Sequence, residues 1–214
     1  MKPIAFVSMV ALLGACSTAT PPAPTVSSIG NVLFTAVGGD GLEVIQNDTN
    51  HVLRTASISS HLVHNGVNIP NWASGSGTIS GSGLFADDHL FAAGLDNGTY
   101  FAGINGSPNA SIPSTGTASL TGLYAFVVNG SDASGPLALT ANFRSGTITD
   151  TTAGISVNGT LWGNGITGTV DIDGETSALK AGFYTKPTGA TYPNGYVVDG
   201  VALGANMAGV IRVK

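Results

Sequence analysis

Residues 155–184 read ISVNGTLWGNGITGTVDIDGETSALKAGFY, and this stretch decides the fold. Apolar residues alternate with small polar ones through Ile155 to Leu161, Ile166 to Ile172 and Leu179 to Tyr184, the period of strands with one buried face. Glycine with asparagine or aspartate separates the runs, at Gly163-Asn164-Gly165 and at Asp173-Gly174, as tight turns require. The same pattern extends outward on both sides. Strands are expected near Ala118 to Val128, Leu137 to Phe143, Tyr196 to Leu203 and Met207 to Val213. Short, evenly spaced strands joined by glycine-containing turns imply a meandering barrel or a sandwich.

Gly122, Gly159, Gly168, Gly182, Gly200 and Gly209 interrupt these alternating runs. Glycine weakens a strand unless the backbone bends there or a neighbour approaches closely. A small barrel needs such bends, and closing it removes free sheet edges. Composition agrees with an all-β chain: 31 of the 214 residues are glycine, only 9% are charged, and helix-forming Glu, Lys and Arg are scarce.

Upstream, alternation over Asn31 to Ala36, Gly41 to Ile45, Val52 to Ile58 and Thr99 to Ile104 is broken by Gly- and Asn-rich loops. Residues 31–114 are therefore expected to form a smaller, less regular β domain, with residues 115–214 forming the regular one. Residues 1–15 read as a signal peptide, with Lys2 at the start and an apolar run from Ile4 to Leu13 that is too short to span a bilayer. Leu13-Gly14-Ala15-Cys16 resembles a bacterial lipobox, which implies cleavage before Cys16 and lipid on its thiol. The alternative is an ordinary secretory signal followed by a cysteine. Residues 16–30, with Pro21, Pro22 and Pro24, read as lipid anchor and extended tether. Ser17 after the cysteine fits sorting to the outer membrane.

The formal net charge is −5, and removing Lys2 with the signal makes the chain more acidic. That excludes nucleic acid as the natural partner, because phosphates demand a basic face. With one cysteine, no internal disulfide forms and the fold rests on its apolar core.

Residues 163–168 (GNGITG) carry the letters of a dinucleotide-binding loop, but a strand follows where that motif needs a helix. Asp171, Asp173 and Glu175 around Gly174 fit a solvated turn better than a calcium loop. All four histidines, His51, His61, His64 and His89, precede residue 115. Imidazole suits haem iron, so His61 or His64 over an apolar patch such as Phe85, Leu90 and Phe91 would fit haem capture. On a strand, however, the spacing of His61 and His64 sends their rings to opposite faces. Trp72, after Pro70-Asn71, is a candidate contact residue if it lies on a loop. Trp162, Phe183 and Tyr184 are expected to fill the barrel.

The ordered series Thr117 to Tyr124 (TASLTGLY), Leu139 to Phe143 (LTANF) with Ser145 to Ile148, Ile155 to Trp162 (ISVNGTLW), Ile166 to Val170 (ITGTV), Leu179 to Tyr184 (LKAGFY) and Met207 to Ile211 (MAGVI) resembles the β-barrel domain of transferrin-binding protein B and related surface lipoproteins. The resemblance implies an eight-stranded antiparallel barrel beside a smaller N-terminal handle, tethered by lipid to the outer membrane. It also implies a non-enzymatic binding role in iron or haem acquisition or in binding a host or environmental protein. The sequence departs from the family after Tyr184, where Thr185-Lys186-Pro187-Thr188 opens a longer loop. A structural envelope lipoprotein without a dedicated ligand is the competing expectation.

Overall fold

The computed structural model describes residues 29–35, 41–54, 58–73, 79–85, 88–150, 152–186 and 193–214. Cys16, the apolar run before it and the proline-rich tether lie outside the described residues. Every regular element described is a strand. The strands β1 (Asn31–Thr35), β2 (Gly41–Gln46) and β3 (Thr49–Arg54) form one sheet in that order. A five-stranded meander follows: β4 (Ile58–His64), β5 (Val67–Ala73), β6 (Ile79–Phe85), β7 (Leu90–Asp96) and β8 (Thr99–Asn105). The rest is a closed antiparallel barrel of β9 (Thr117–Val128), β10 (Ser131–Asn142), β11 (Thr147–Asp150), β12 (Ser156–Trp162), β13 (Gly165–Ile172), β14 (Glu175–Thr185), β15 (Tyr196–Leu203) and β16 (Met207–Val213). Pairing of β16 with β9 closes it, so the barrel has no free edge.

Two-residue turns set the hairpin registers. Asn65-Gly66, Asn97-Gly98, Asn129-Gly130 and Asp173-Gly174 have positive φ at both positions, the combination that matches the twist of the flanking strands. The expected run from Val52 to Ile58 is two strands instead, since β3 ends at Arg54 and β4 begins at Ile58. Between Ile58 and Thr99, where no individual strand is named from the sequence, stand β4 to β7.

Alternation sorts the side chains into layers. Leu120, Leu139, Val157, Ile166, Val170, Phe183, Val198 and Ile211 fill the barrel interior. Val67, Ile69, Phe91, Ala93 and Ala102 of the meander pack on Leu123, Tyr184, Val197, Val201 and Val210, which point out of the barrel. On its other face the meander packs Trp72, Ala92 and Phe101 against Val32, Leu42, Val44 and Leu53 of the small sheet. The order is small sheet, meander, barrel wall, barrel interior. Strands β15 and β16 are consequently buried on both faces along their whole length. Each fully buried aliphatic side chain stabilises by roughly 1.5–3 kcal/mol, so these layers supply most of the attachment of handle to barrel.

The six strand glycines stand where a neighbour comes close. A Cβ at Gly168 would run into the backbone of Asn158, and one at Gly200 into the side chain of Ala181. Away from the handle the barrel is apolar inside and polar outside, the reverse of a membrane-spanning barrel, whose outer band is apolar.

Candidate functional site

His61 and His64 both lie on β4, with His61 exposed and His64 half-buried. His61 pairs across the strands with Pro70 and His64 with Val67, so the rings point to opposite faces. His61 Nδ1 is 3.2 Å from Asn68 Oδ1, and His64 Nε2 is 3.1 Å from Asn65 Nδ2. Phe91 is fully buried and Leu90 packs between the two sheets, so these two do not form a surface patch for haem, and the Phe85 side chain lies outside those described. Among the described residues no group of three or more His, Asp, Glu or Cys could hold a metal ion.

Trp72 is on strand β5, not on a loop. It is 2% exposed, and its Nε1 donates to the carbonyl of Gly83 at 3.3 Å. Of the three aromatics expected to fill the barrel only Phe183 does: Tyr184 points out against the meander, and Trp162 is 84% exposed. The cause is its place in the alternation. Val157 and Leu161 point inward on β12, which leaves Asn158, Thr160 and Trp162 pointing out.

The sequence reading did not single out the polar cluster between meander and barrel. His89, on the segment before β7, places Nε2 2.7 Å from Asp199 Oδ2 and Nδ1 2.6 Å from Asp88 Oδ1. Its ring stacks on Tyr184 with centroids 3.6 Å apart. Asp199 faces Arg212 directly across β15 and β16, Oδ1 to Nε 3.5 Å. Asp199 is fully buried, and His89 and Arg212 are each 3% exposed. Asp88 also accepts from Asn109 Nδ2 and Thr185 Oγ1. Partial burial pushes the Asp88 carboxyl up, but hydrogen bonds from His89, Asn109 and Thr185 outweigh it and hold the group below the ordinary value of 3.8. Burial, with the nearby Asp199 and Asp88 charges, raises the Tyr184 phenol well above its usual range. Both ring nitrogens of His89 are engaged by carboxylate oxygens, so neither is open to solvent or to a ligand. The cluster joins two layers.

A polar crevice of about 110 Å³ also lies between meander and barrel, lined by Ser60, Asn71, Ser82, Asp132 and Ser134. Ser82 Oγ donates to Asn71 Oδ1 at 2.7 Å.

The accessible features gather at the barrel end where Thr117 enters. The segment from Asn105 to Thr117 crosses this mouth: Asn109 and Ala110 donate backbone N–H groups to the carbonyl of Phe183, and Ala110 packs into the barrel core. Two adjoining concavities of about 420 and 500 Å³ open there, the first lined by Ile112, Phe143, Asn194 and Tyr196, the second by Asn142 and Arg144. Burial raises the Tyr196 phenol above its ordinary value. The turns carrying Arg144 and Trp162 are adjacent, since Leu161 donates to the carbonyl of Gly146. Rim, Trp162 and the outer wall of β11 to β13 form one continuous exposed surface.

No family model matches the chain, and no curated protein matches it. Solved structures do. A mutant of Transferrin Binding Protein B from Haemophilus parasuis Hp5 is similar at 12% identity and a TM-score of 0.43, over 82% of this chain and 50% of that one. HpuA of Kingella denitrificans in complex with human haemoglobin is similar at 15% identity and a TM-score of 0.47, over 86% and 82% of the two chains. The same receptor without ligand gives 17% identity and 0.45, over 80% and 75%. The chain spans half the length of the Transferrin Binding Protein B structure. The closed eight-stranded barrel beside smaller N-terminal sheets is shown by the strand pairing itself.

Proposed function

We propose that this chain is a non-enzymatic binding protein, held at the outer-membrane surface by lipid on Cys16, and that it captures a macromolecule outside the cell, a host protein foremost, on the open side of its barrel. The observation that carries this reading is Trp162, a large aromatic ring held 84% exposed on a paired strand. Exposing that much apolar surface is unfavourable, and tryptophan and arginine are among the residue types in which binding energy concentrates. The turn that carries Arg144 lies beside the end of β12 that carries Trp162, joined by the hydrogen bond from Leu161 to Gly146, so the closed barrel holds these backbones in place before a partner arrives. That pre-organisation lowers the ordering cost of association.

A lipid-bearing tether ahead of Gly30, which itself hydrogen-bonds Ala102 and Ile104 of β8, would let the barrel stand off the membrane with its mouth and wall accessible. The test is affinity capture from serum on the secreted chain carrying Cys16→Ser, run beside the same chain with Trp162→Ala. The retained component, once purified, is expected to bind the Trp162→Ala chain at least about tenfold more weakly, as for a hot-spot residue. Equal affinity for both chains would refute the assignment of this face.

A further inference from the structure

The outer wall beside Trp162 has an unusual side-chain chemistry. Strand pairing places Thr147, Thr160 and Thr167 in one row across β11, β12 and β13, and Thr149, Asn158 and Thr169 in the next. All six are exposed. Rows in a sheet repeat about every 4.8 Å across strands and about every 7 Å along them, so hydroxyl and amide groups form a regular, shallow lattice. The hydroxyls of Thr149, Thr160, Thr167 and Thr169 have no hydrogen-bond partner among the described residues. They are left for solvent or a ligand.

The lattice is uncharged. Lys180, opposite Thr167, stands at one border, and Asp171, whose Oδ2 accepts from Thr176, stands near another. An anionic ligand would meet Lys180 at the border and Arg144 on the adjoining rim, but no cation within the rows themselves, too little to bind phosphate or sulfate groups firmly there. A protein interface would be expected to concentrate aromatic, Met and Arg side chains at its centre; here Trp162 and Arg144 stand at the edge, and the rows across β11 to β13 are threonine and asparagine. What matches it is a ligand that is itself neutral and dense in hydroxyls.

Trp162 completes the match. It continues the Thr160 side of β12 by two residues, and Gly165 stands opposite it in register. With no side chain at Gly165, the strand beside the indole presents bare backbone. Among the described residues the ring has no stacking partner. One face of a pyranose ring presents a patch of C–H groups that packs on the negative face of an aromatic π-system, while its hydroxyls reach sideways to hydrogen-bonding groups.

We infer that the wall of β11 to β13, bordered by Trp162, binds a chain of neutral sugars, with Trp162 stacking one residue and the threonine–asparagine rows hydrogen-bonding the next. The inference rests on the reading of this wall as the binding face and names the chemistry it recognises. It is a site for a free polysaccharide or for a glycan carried on a protein.

The test uses the secreted chain with Cys16→Ser on a printed array of neutral and anionic oligosaccharides, followed by fluorescence titration of the neutral binders. Trp162 and Trp72 are the only two tryptophans, and Trp72 is buried, so the exposed emission reports this site. Neutral oligosaccharides are expected to bind with a blue shift and little dependence on salt. Trp162→Ala is expected to weaken them about tenfold, the scale of one aromatic contact. Thr160→Val with Thr167→Val, which keeps shape and removes hydroxyls, is expected to weaken them several-fold. Binding confined to anionic sugars, no binding at all, or neutral binding unchanged by both variants would overturn the inference. A protein partner that needs Trp162 but binds equally well after enzymatic deglycosylation would overturn the sugar assignment and leave the binding face standing. A partner indifferent to Trp162→Ala would remove both.

Discussion

His89 and Asp199, 110 residues apart in the chain, meet at 2.7 Å in the interface between meander and barrel, where neither is reached by solvent. Asp199 in turn faces Arg212, and His89 faces Asp88, so a chain of polar contacts crosses from the handle into the barrel wall. Desolvating these groups is unfavourable, and the cluster owes its tolerance to mutual pairing. Removing one member is therefore worse than never having built it. Asp199→Ala removes the carboxylate that the buried Arg212 faces and one of the two carboxylates on His89, and is expected to lower unfolding free energy by about 3–5 kcal/mol. Urea denaturation of the purified chain measures it, and a loss below 1 kcal/mol would mean water reaches the cluster.

Acid should act on the same interface through Asp88. Its folded carboxyl titrates below 3.8, so its contribution is complete above the unfolded value and disappears as pH falls through the lower folded one. The urea midpoint is expected to drop on acidification below about pH 4, and less steeply in Asp88→Asn. Tyr184 has the opposite sign. Its phenol is raised above 10.0, so its contribution is complete below that pH and is lost as pH rises beyond it. Tyr184→Phe should flatten the alkaline limb of the stability profile and leave the acid limb alone.

Strand glycines give a separate test of packing. A Cβ at Gly200 would collide with the Ala181 side chain inside the barrel. Gly200→Ala is expected to destabilise by about 1–3 kcal/mol, the range for overpacked cores. A neutral or stabilising result in thermal unfolding would show that β14 and β15 can separate without penalty.

The barrel was legible because period-2 alternation, turn glycines and strand glycines all report on one closed sheet. Even the outward direction of Trp162 was written in the alternation of Val157, Gly159 and Leu161, although core packing is the usual fate of a tryptophan. The meander was harder to read. Pro70 interrupts β5, and Gly81 and Gly83 thin the apolar signal of β6, where the Ala93 backbone and the Ala92 side chain press close. The Asn65-Gly66 and Asn97-Gly98 turns were the local sign that hairpins stood there. The His89 cluster left no such trace, because pairing over 110 residues follows from how sheets stack and not from any local pattern.

Lipid attachment is tested without reference to the fold. Cells fed a radiolabelled or clickable fatty acid are expected to label the wild-type chain and not Cys16→Ser, which should appear in the soluble fraction. Labelling of the serine variant would remove Cys16 as the anchor.

The most direct measurement on the binding face is hydroxyl-radical footprinting of the chain with and without the macromolecule it captures from serum. Protection of Trp162, with reduced modification across residues 144–169, is the predicted result. Unchanged oxidation of Trp162, with protection confined to the small sheet or the meander, would contradict the account.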